Sequence, residues 1–255
     1  MSRIKALTFN MQFGQRWDEA DPDAAPIDFE GTIEFLRSRE FDLLLLQEVE
    51  RARPGGEQPD PAPNSLRLKH AFRGWHSVFA WPPLNPDELP FGIGLSIFSR
   101  TPLADFFHDI LPAPDVIFDF QGKRVRPSER SLIGVKTEVD GRQLCVMNTH
   151  LQAFFMIGTT SNEHRGQRDA VEQRLAEVDC PAIMSGDFNI GPDEDTVAQF
   201  ERAGFQAVQN EEITWRRKPF VLDHFFHNAR VELESYEVVP TETSDHHALE
   251  AVFRF

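Results

Sequence analysis

Six places in this sequence end an apolar, strand-like run in an amide, a carboxylate or an imidazole. Asn10 follows Ile4–Phe9. Gln47 and Glu48 follow four consecutive leucines. Asn148 and His150 close the run that begins at Arg142. Asp187 and Asn189 close Ala182-Ile183-Met184-Ser185-Gly186. Asp223 and His224 lie within Val221–Phe226, and Asp245, His246 and His247 precede the last apolar run. One Asp after a strand is ordinarily a turn or helix cap. Six such places exceed what capping needs, and converging strand ends would turn them into one oxygen-rich pocket.

That donor set selects a cation. Carboxylates and amides without cysteine suit Mg²⁺, with Mn²⁺ the alternative, whereas thiolate and imidazole sets suit zinc. Mg²⁺ binds through one or two carboxylates plus substrate phosphate and water. His150, His246, Asp187 and Asp223 then supply the acid–base parts. A zinc site of His150, His246 and His247 is the weaker competitor, because adjacent strand residues point to opposite faces.

The elements that must position these residues are legible in outline. Ile4–Phe9 alternates as a strand. Asp28 caps a helix whose apolar face is Phe29, Ile33 and Leu36. Asp42–Val49 reads as a strand buried on both faces. Residues 52–64 form a Pro/Gly loop, and Asn64 is expected to cap a helix presenting Leu68, Ala71, Phe72 and Trp75. Strands follow at His76–Trp81, Ile93–Ser99, Leu103–Leu111 and Arg130–Val139. Asp140-Gly141 is a two-residue hairpin turn between Leu132–Val139 and Arg142–Leu151. Helices are expected at Glu163–Val178 and Asp193–Ala203, the second stopped by Gly204. Strands occupy Pro181–Asn189, Val221–His227, Val231–Val239 and Ala248–Phe255. An antiparallel pair excludes a purely parallel doubly wound sheet. Two mixed sheets packed face to face with helices outside, in one domain over residues 1–255, accommodate the pattern.

In order along the chain, Leu7-Thr8-Phe9-Asn10, Leu46-Gln47-Glu48-Val49, Gly92–Arg100, Asn148-Thr149-His150-Leu151, Ser185-Gly186-Asp187-Phe188-Asn189, Leu222-Asp223-His224 and Ser244-Asp245-His246-His247 resemble the endonuclease/exonuclease/phosphatase superfamily of Mg²⁺-dependent phosphoesterases. Gly-Asp-Phe-Asn followed by Ser-Asp-His is its most specific part. The resemblance implies a four-layered α-β-β-α sandwich and hydrolysis of a phosphoester. It implies Glu48 as principal metal ligand with Asn10 beside it, and Asp245 as a further carboxylate on the metal side. His246 becomes general base or electrostatic partner, oriented by Asp223. Asp187 aligns or deprotonates the attacking water, Asn189 holds a phosphoryl oxygen, and His150 serves the phosphate or leaving group. Asn148 is expected at the substrate. The apurinic-endonuclease branch uses a tyrosine in this region, and the one tyrosine here, Tyr236, lies far from that motif.

Composition bears on the substrate. With 26 Lys+Arg against 41 Asp+Glu, the formal charge is −15. Residues 11–63 hold thirteen acids and five bases, so −8 lies in that fifth of the chain. A long duplex nucleic acid, which is gripped by neutralising phosphates, is therefore disfavoured. Two basic clusters stand against the acid: Lys123, Arg124, Arg126 and Arg130, and Arg216, Arg217 and Lys218 after Trp215. Arg124, Arg130 and Trp215 are expected at the substrate, the indole stacking on a base unless it is a core residue. Ala153–Ile157 is a buried turn or an exposed apolar loop suited to a lipid-like phosphodiester. The expected substrate is thus small, lipid-like or single-stranded, with a duplex endonuclease the alternative and a noncatalytic module the least favoured reading, because the motif set is intact. No apolar run reaches the ~18 residues of a membrane helix, no signal pattern precedes the first strand, and the two cysteines are expected reduced, so the expected location is cytoplasmic. No protein partner is indicated. The charge balance predicts that kcat/KM changes little with substrate length beyond a few nucleotides. Preference for duplexes of about ten base pairs or more, with steep salt dependence, would instead indicate the endonuclease.

Overall fold

The computed structural model of the protein describes residues 1–87, 89 and 91–255. The chain runs β1 (Arg3–Asn10), α1 (Phe29–Arg37), β2 (Leu43–Gln47), β3 (Glu50–Arg51), α2 (Pro63–Ala71), β4 (His76–Ala80), β5 (Gly92–Ile93), β6 (Leu95–Ser99), β7 (Leu103–Leu111), β8 (Phe118–Phe120), β9 (Lys123–Val125), β10 (Arg130–Val139), β11 (Arg142–His150), α3 (Gly166–Ala176), β12 (Ala182–Asp187), α4 (Thr196–Arg202), β13 (Phe205–Ala207), β14 (Asp223–Asn228), β15 (Glu232–Val239) and β16 (Ala248–Arg254). Two six-stranded mixed sheets result, ordered β15-β16-β1-β2-β6-β4 and β13-β14-β12-β11-β10-β7.

Period-two alternation explains the layering. In β2, Leu43 and Leu45 join Ile4, Ile133, Val146, Ile183, Phe225 and Phe253 in a core shared by both sheets. Leu44 and Leu46 face the other way, against Phe29, Ile33 and Leu36 of α1 and Leu68 of α2. On the second sheet, Met147, Met184 and Phe226 pack outward on Val171 and Leu175 of α3 and Phe200 of α4. Each sheet thus has apolar side chains on both faces, and the expected sandwich of two sheets between helices is the observed one.

Local signals place most ends. Asp28 caps α1, its side chain accepting from the Gly31 N–H at 3.0 Å. Asp140 and Gly141 both take positive φ, 51° and 76°, the two-residue turn that joins β10 to β11. The expected strand Ile93–Ser99 is broken at Gly94 (φ 88°) into β5 and β6. The cap expected at Asn64 falls instead on Ala62, because Pro63 fits the first helical position, where its missing N–H is no loss. Asn64 uses its backbone N–H on Glu50 and its side chain on the Val49 carbonyl. The short hairpin β8–β9 lies where no element was expected. Cys145 is buried, Cys180 half-buried, and both are free. No described helix is long and apolar enough to cross a membrane.

Phe225 is fully buried in the shared core, its ring edge-on to Phe253 at 5.6 Å. Phe225→Ala is expected to cost about 3–5 kcal/mol of unfolding free energy, measured by urea denaturation. A cost under about 1 kcal/mol would mean the two sheets do not share that core.

Candidate active site

The alternation that buries the leucines also aims the polar residues. Odd-numbered β2 and β12 residues face the space between the sheets, as do even-numbered β1 and β11 residues. At the same end of the sandwich this turns Asn10, His150 and Asp187 inward. Asp223 joins them from β14, and His150, Asp187 and Asp223 are direct neighbours across three adjacent strands. His224 and His247 do not join. His224 points outward, both ring nitrogens against the carbonyls of Gln209 and Val221, and His247 Nδ1 accepts the Thr241 N–H.

Glu48 reaches the pocket by breaking the alternation. It takes φ 50°, a left-handed conformation costing a non-glycine residue about 1 kcal/mol or more. Its Oε1 accepts from Asn10 Nδ2 at 3.0 Å and its Oε2 from the Gly92 N–H at 3.1 Å. Only glycine fits there, since a Cβ at position 92 would lie 2.1 Å from Glu48 Oε2.

Asp187 is the hub. Its Oδ2 accepts from Asn10 Nδ2 at 2.9 Å, and lies 3.4 Å from His150 Nε2 and 3.7 Å from His246 Nε2. Its Oδ1 accepts the Asn189 N–H at 3.0 Å. His246 donates from Nδ1 to Asp223 Oδ2 at 2.7 Å, which fixes the imidazole and leaves Nε2 toward Asp187. Ser244 shapes this corner: its hydroxyl donates to the Asn10 carbonyl at 2.8 Å and accepts the His246 N–H at 3.1 Å.

Burial and crowding set the charges. Glu48 is pushed up to about 7, by burial first, then by Asp245, against the lowering pull of the Asn10 amide. Asp187 is likewise pushed up to about 7, by burial and by Asp223 and Glu48. His246 rises to about 10: Asp223 and Asp187 outweigh a burial that alone would lower it. His150 falls well below the usual imidazole range through burial, Arg130 and His246. At neutral pH the site therefore holds a cationic His246 and a neutral His150.

Donor atoms of Glu48, His150 and Asp187 lie within 4.8 Å of one another, as do those of Asp187, Asp223 and His246. Buried carboxylates with raised pKa and a cradle opened by Gly92 suit a hard divalent cation. The other two expected ligands, Asn10 and Asp245, stand beside these groups. Asn10 turns its NH₂ to the carboxylates and its Oδ1 to the Gln12 N–H at 3.1 Å, so it now stands in for positive charge. Offering Oδ1 to a cation requires its amide to flip. Asp245 is in neither group, but its Oδ1 lies 4.0 Å from His246 Nε2, while its Oδ2 accepts from Arg217 Nε at 2.6 Å and Trp215 Nε1 at 3.3 Å.

Other expected substrate contacts are also corrected. Asn148 is fully buried and spends its amide on the Leu46 and Ser96 carbonyls and on Gln47 Nε2, at 2.9, 3.0 and 2.7 Å. It ties the sheets together and has no face for substrate. Trp215 is buried among Phe155, Phe220 and His246, so the core role, not base stacking, is realised. Arg216 is taken by Glu242, and Arg217 by Asp23 and Asp245, so two of the second cluster's three cations already have carboxylate partners. Arg124 lines a separate surface hollow of about 200 Å³ with Asp87, Ile117 and Arg126. Arg130 stays near the site. In the 153–157 segment Phe154 is buried, Phe155 packs on Trp215, and Met156 is exposed, so the segment is part turn and part surface.

Residues 7–246 match the sequence profile of the Endonuclease/Exonuclease/phosphatase family, and the chain belongs to that family. It is accordingly a phosphoester hydrolase of a class that works with divalent metals. No match was found among curated protein sequences. Solved structures share the fold. An endonuclease/exonuclease/phosphatase from Beutenbergia cavernae is 22% identical with TM-score 0.73, over 100% of this chain and 72% of that one. The human Nocturnin catalytic domain with bound sulfate anion is 20% identical, TM-score 0.67, over 100% and 94%. D. rerio TDP2 complexed with single strand DNA product is 18% identical, TM-score 0.65, over 100% of both chains.

The raised carboxylates generate a pH prediction. In the metal-free fold Glu48 and Asp187 hold protons up to about 7, well above their unfolded values. They therefore withdraw stability as pH rises through that window, the reverse of an ion-paired carboxylate. A cation must displace those protons. Mn²⁺ affinity, by calorimetry in buffers of different ionisation enthalpy, is expected to rise from pH 6 to 8 with proton release. A flat affinity without proton release would refute the carboxylate site.

Proposed function

We propose that the protein is a Mg²⁺- or Mn²⁺-dependent phosphodiesterase or phosphatase acting on a small, lipid-like or single-stranded phosphate substrate, with residues 1–255 working as one domain. The observation that carries this reading is the Asp187 carboxylate held by Asn10 and the Asn189 N–H, with the His246–Asp223 pair beside it. Glu48 would hold the cation, with Asn10 alongside and Asp245 behind, and the cation would supply neutralising charge at the phosphoryl oxygens.

The remaining work falls to the chain's own groups. Asp187 aligns the attacking water and accepts its proton, which suits a carboxylate whose pKa is near the working pH. His246, charged and oriented by Asp223, presents its Nε2–H to a phosphoryl oxygen, acting as electrostatic partner rather than base. Asn189 gives one amide hydrogen to the Leu151 carbonyl at 3.0 Å and keeps the other for the phosphate. His150, neutral, serves the leaving-group side. The pairing of Arg216 and Arg217 within the chain, together with the −15 charge, supports a short substrate over duplex DNA. Likeness to a TDP2 solved with a single strand DNA product agrees with that choice.

The test is a hydrolysis screen with Mg²⁺ and Mn²⁺ over nitrophenyl phosphodiesters and monoesters, short single strands, duplexes and phospholipids. His246→Ala is expected to lower kcat by about 10²–10⁴-fold. Glu48→Gln is expected to lower activity at limiting metal by about 10²-fold while the protein stays folded. Near-wild-type rates in either variant, or activity confined to duplex DNA, would overturn the reading.

A further inference from the structure

Arg130 is a half-buried cation. It opens β10, next to Ser131, which pairs with His150 across the sheet. Its charge is felt at both Glu48 and His150, so the guanidinium lies within electrostatic reach of the site. Arg126, Arg174, Arg216 and Arg217 all have carboxylate partners. Arg130 makes no ion pair among the described residues. Instead its Nη2 donates to the neutral Oε1 of Gln152 at 3.2 Å. Its Nε is buried and has no hydrogen-bond partner among the described residues.

Gln152 is itself fixed. It is buried, and its backbone N–H donates to Gln167 Oε1 at 2.9 Å. Gln167, also buried on α3, donates from Nε2 to the Pro112 carbonyl at 3.1 Å. Three segments are thereby tied: the end of β7, the turn after His150 and the first turn of α3. A neutral acceptor orients a guanidinium without cancelling its charge. A carboxylate at the same place would do both. A guanidinium carries five N–H donors, and a buried donor without an acceptor is costly. The guanidinium donors that Gln152 leaves unbonded are the ones an anionic oxygen arriving with the substrate can use.

We propose that Gln152, locked by Gln167, is a positioning residue that aims a charge-uncompensated Arg130 at a phosphoryl oxygen of the substrate. This rests on the phosphoester reading of the site. The step is one of binding: no bond is made or broken by Gln152, and its neutrality is what leaves the whole positive charge for the phosphate.

The experiment titrates inorganic phosphate into the metal-loaded protein by calorimetry, for wild type, Arg130→Ala, Gln152→Leu, their double variant and Gln152→Glu. Gln152→Leu and Arg130→Ala are each expected to weaken phosphate about tenfold, and the double variant no further, because both act through one contact. Gln152→Glu keeps shape and hydrogen bond but compensates the charge, and is expected to weaken phosphate as much. With a turned-over substrate these changes are expected in KM, with kcat moving less. Unchanged phosphate affinity in a folded Gln152 variant would overturn the proposal. So would a Gln152→Leu effect that persists undiminished on the Arg130→Ala background. Should Gln152→Leu fail to fold, Gln152→Glu decides alone. Phosphate binding needs no turnover, so loss of the hydrolase reading and loss of this one are read separately.

Discussion

Burying the Asp187 carboxylate is the constraint around which the site is built. An unpaired charge at 1% exposure is expensive, and loses its proton only with help. Asn10, the Asn189 N–H and the His246 imidazolium supply that help from three different parts of the chain. None of them is a full salt bridge. His246 stands at 3.7 Å and is itself drawn to Asp223 at 2.7 Å. The carboxylate is therefore held in place yet left basic, and that combination is what aligning and deprotonating a water requires. A tight Arg–carboxylate pair would have held it as firmly and abolished its basicity.

The same logic separates the two ends of the cluster. Glu48 has an amide and a backbone N–H as partners, both neutral, and lies beside Asp245. That leaves a concentration of negative charge which a divalent cation relieves. His246, by contrast, is surrounded by carboxylates and stays protonated. One face of the pocket thus calls for positive charge and the other supplies it. On the function proposed above, a phosphate spanning them would meet the cation on one side and the imidazolium on the other.

Much of this was legible in the sequence because strand parity is local information. Four leucines before Gln47 say which side chains alternate, and a polar residue at a strand end says where the alternation opens. Asn10, Glu48, His150, Asp187, Asp223 and His246 are brought together as their order along the chain suggested. Parity alone did not reveal that Asn148, inward like His150 but two residues earlier, is too deep to meet substrate. There it bridges the sheets through Gln47 and two carbonyls. Nor does a sequence say which cations are already taken. Arg217 finds Asp23 and Asp245 at separations of 194 and 28 residues, and Gln152 finds Gln167 and Arg130 only through the fold.

Those long-range pairings change what the charge distribution means. The acidic stretch 11–63 looks like a solvated excess, but part of it is fastened to the basic cluster. Asp23 takes Arg217, Arg216 lies 4.9 Å over the Trp17 ring, and the Trp17 N–H donates to the Glu242 carbonyl at 3.0 Å. Two of the cations that composition offers to a polyanion, Arg216 and Arg217, are thereby spent on holding the wall behind Asp245. Near the reacting groups stand His246 and Arg130. The long-range field of the molecule is negative and opposes an extended polyanion, while His246 and Arg130 offset the pocket's carboxylates only at short range. On the function proposed above, discrimination by length would follow from that difference in range, with no contact made to any more distant part of the substrate.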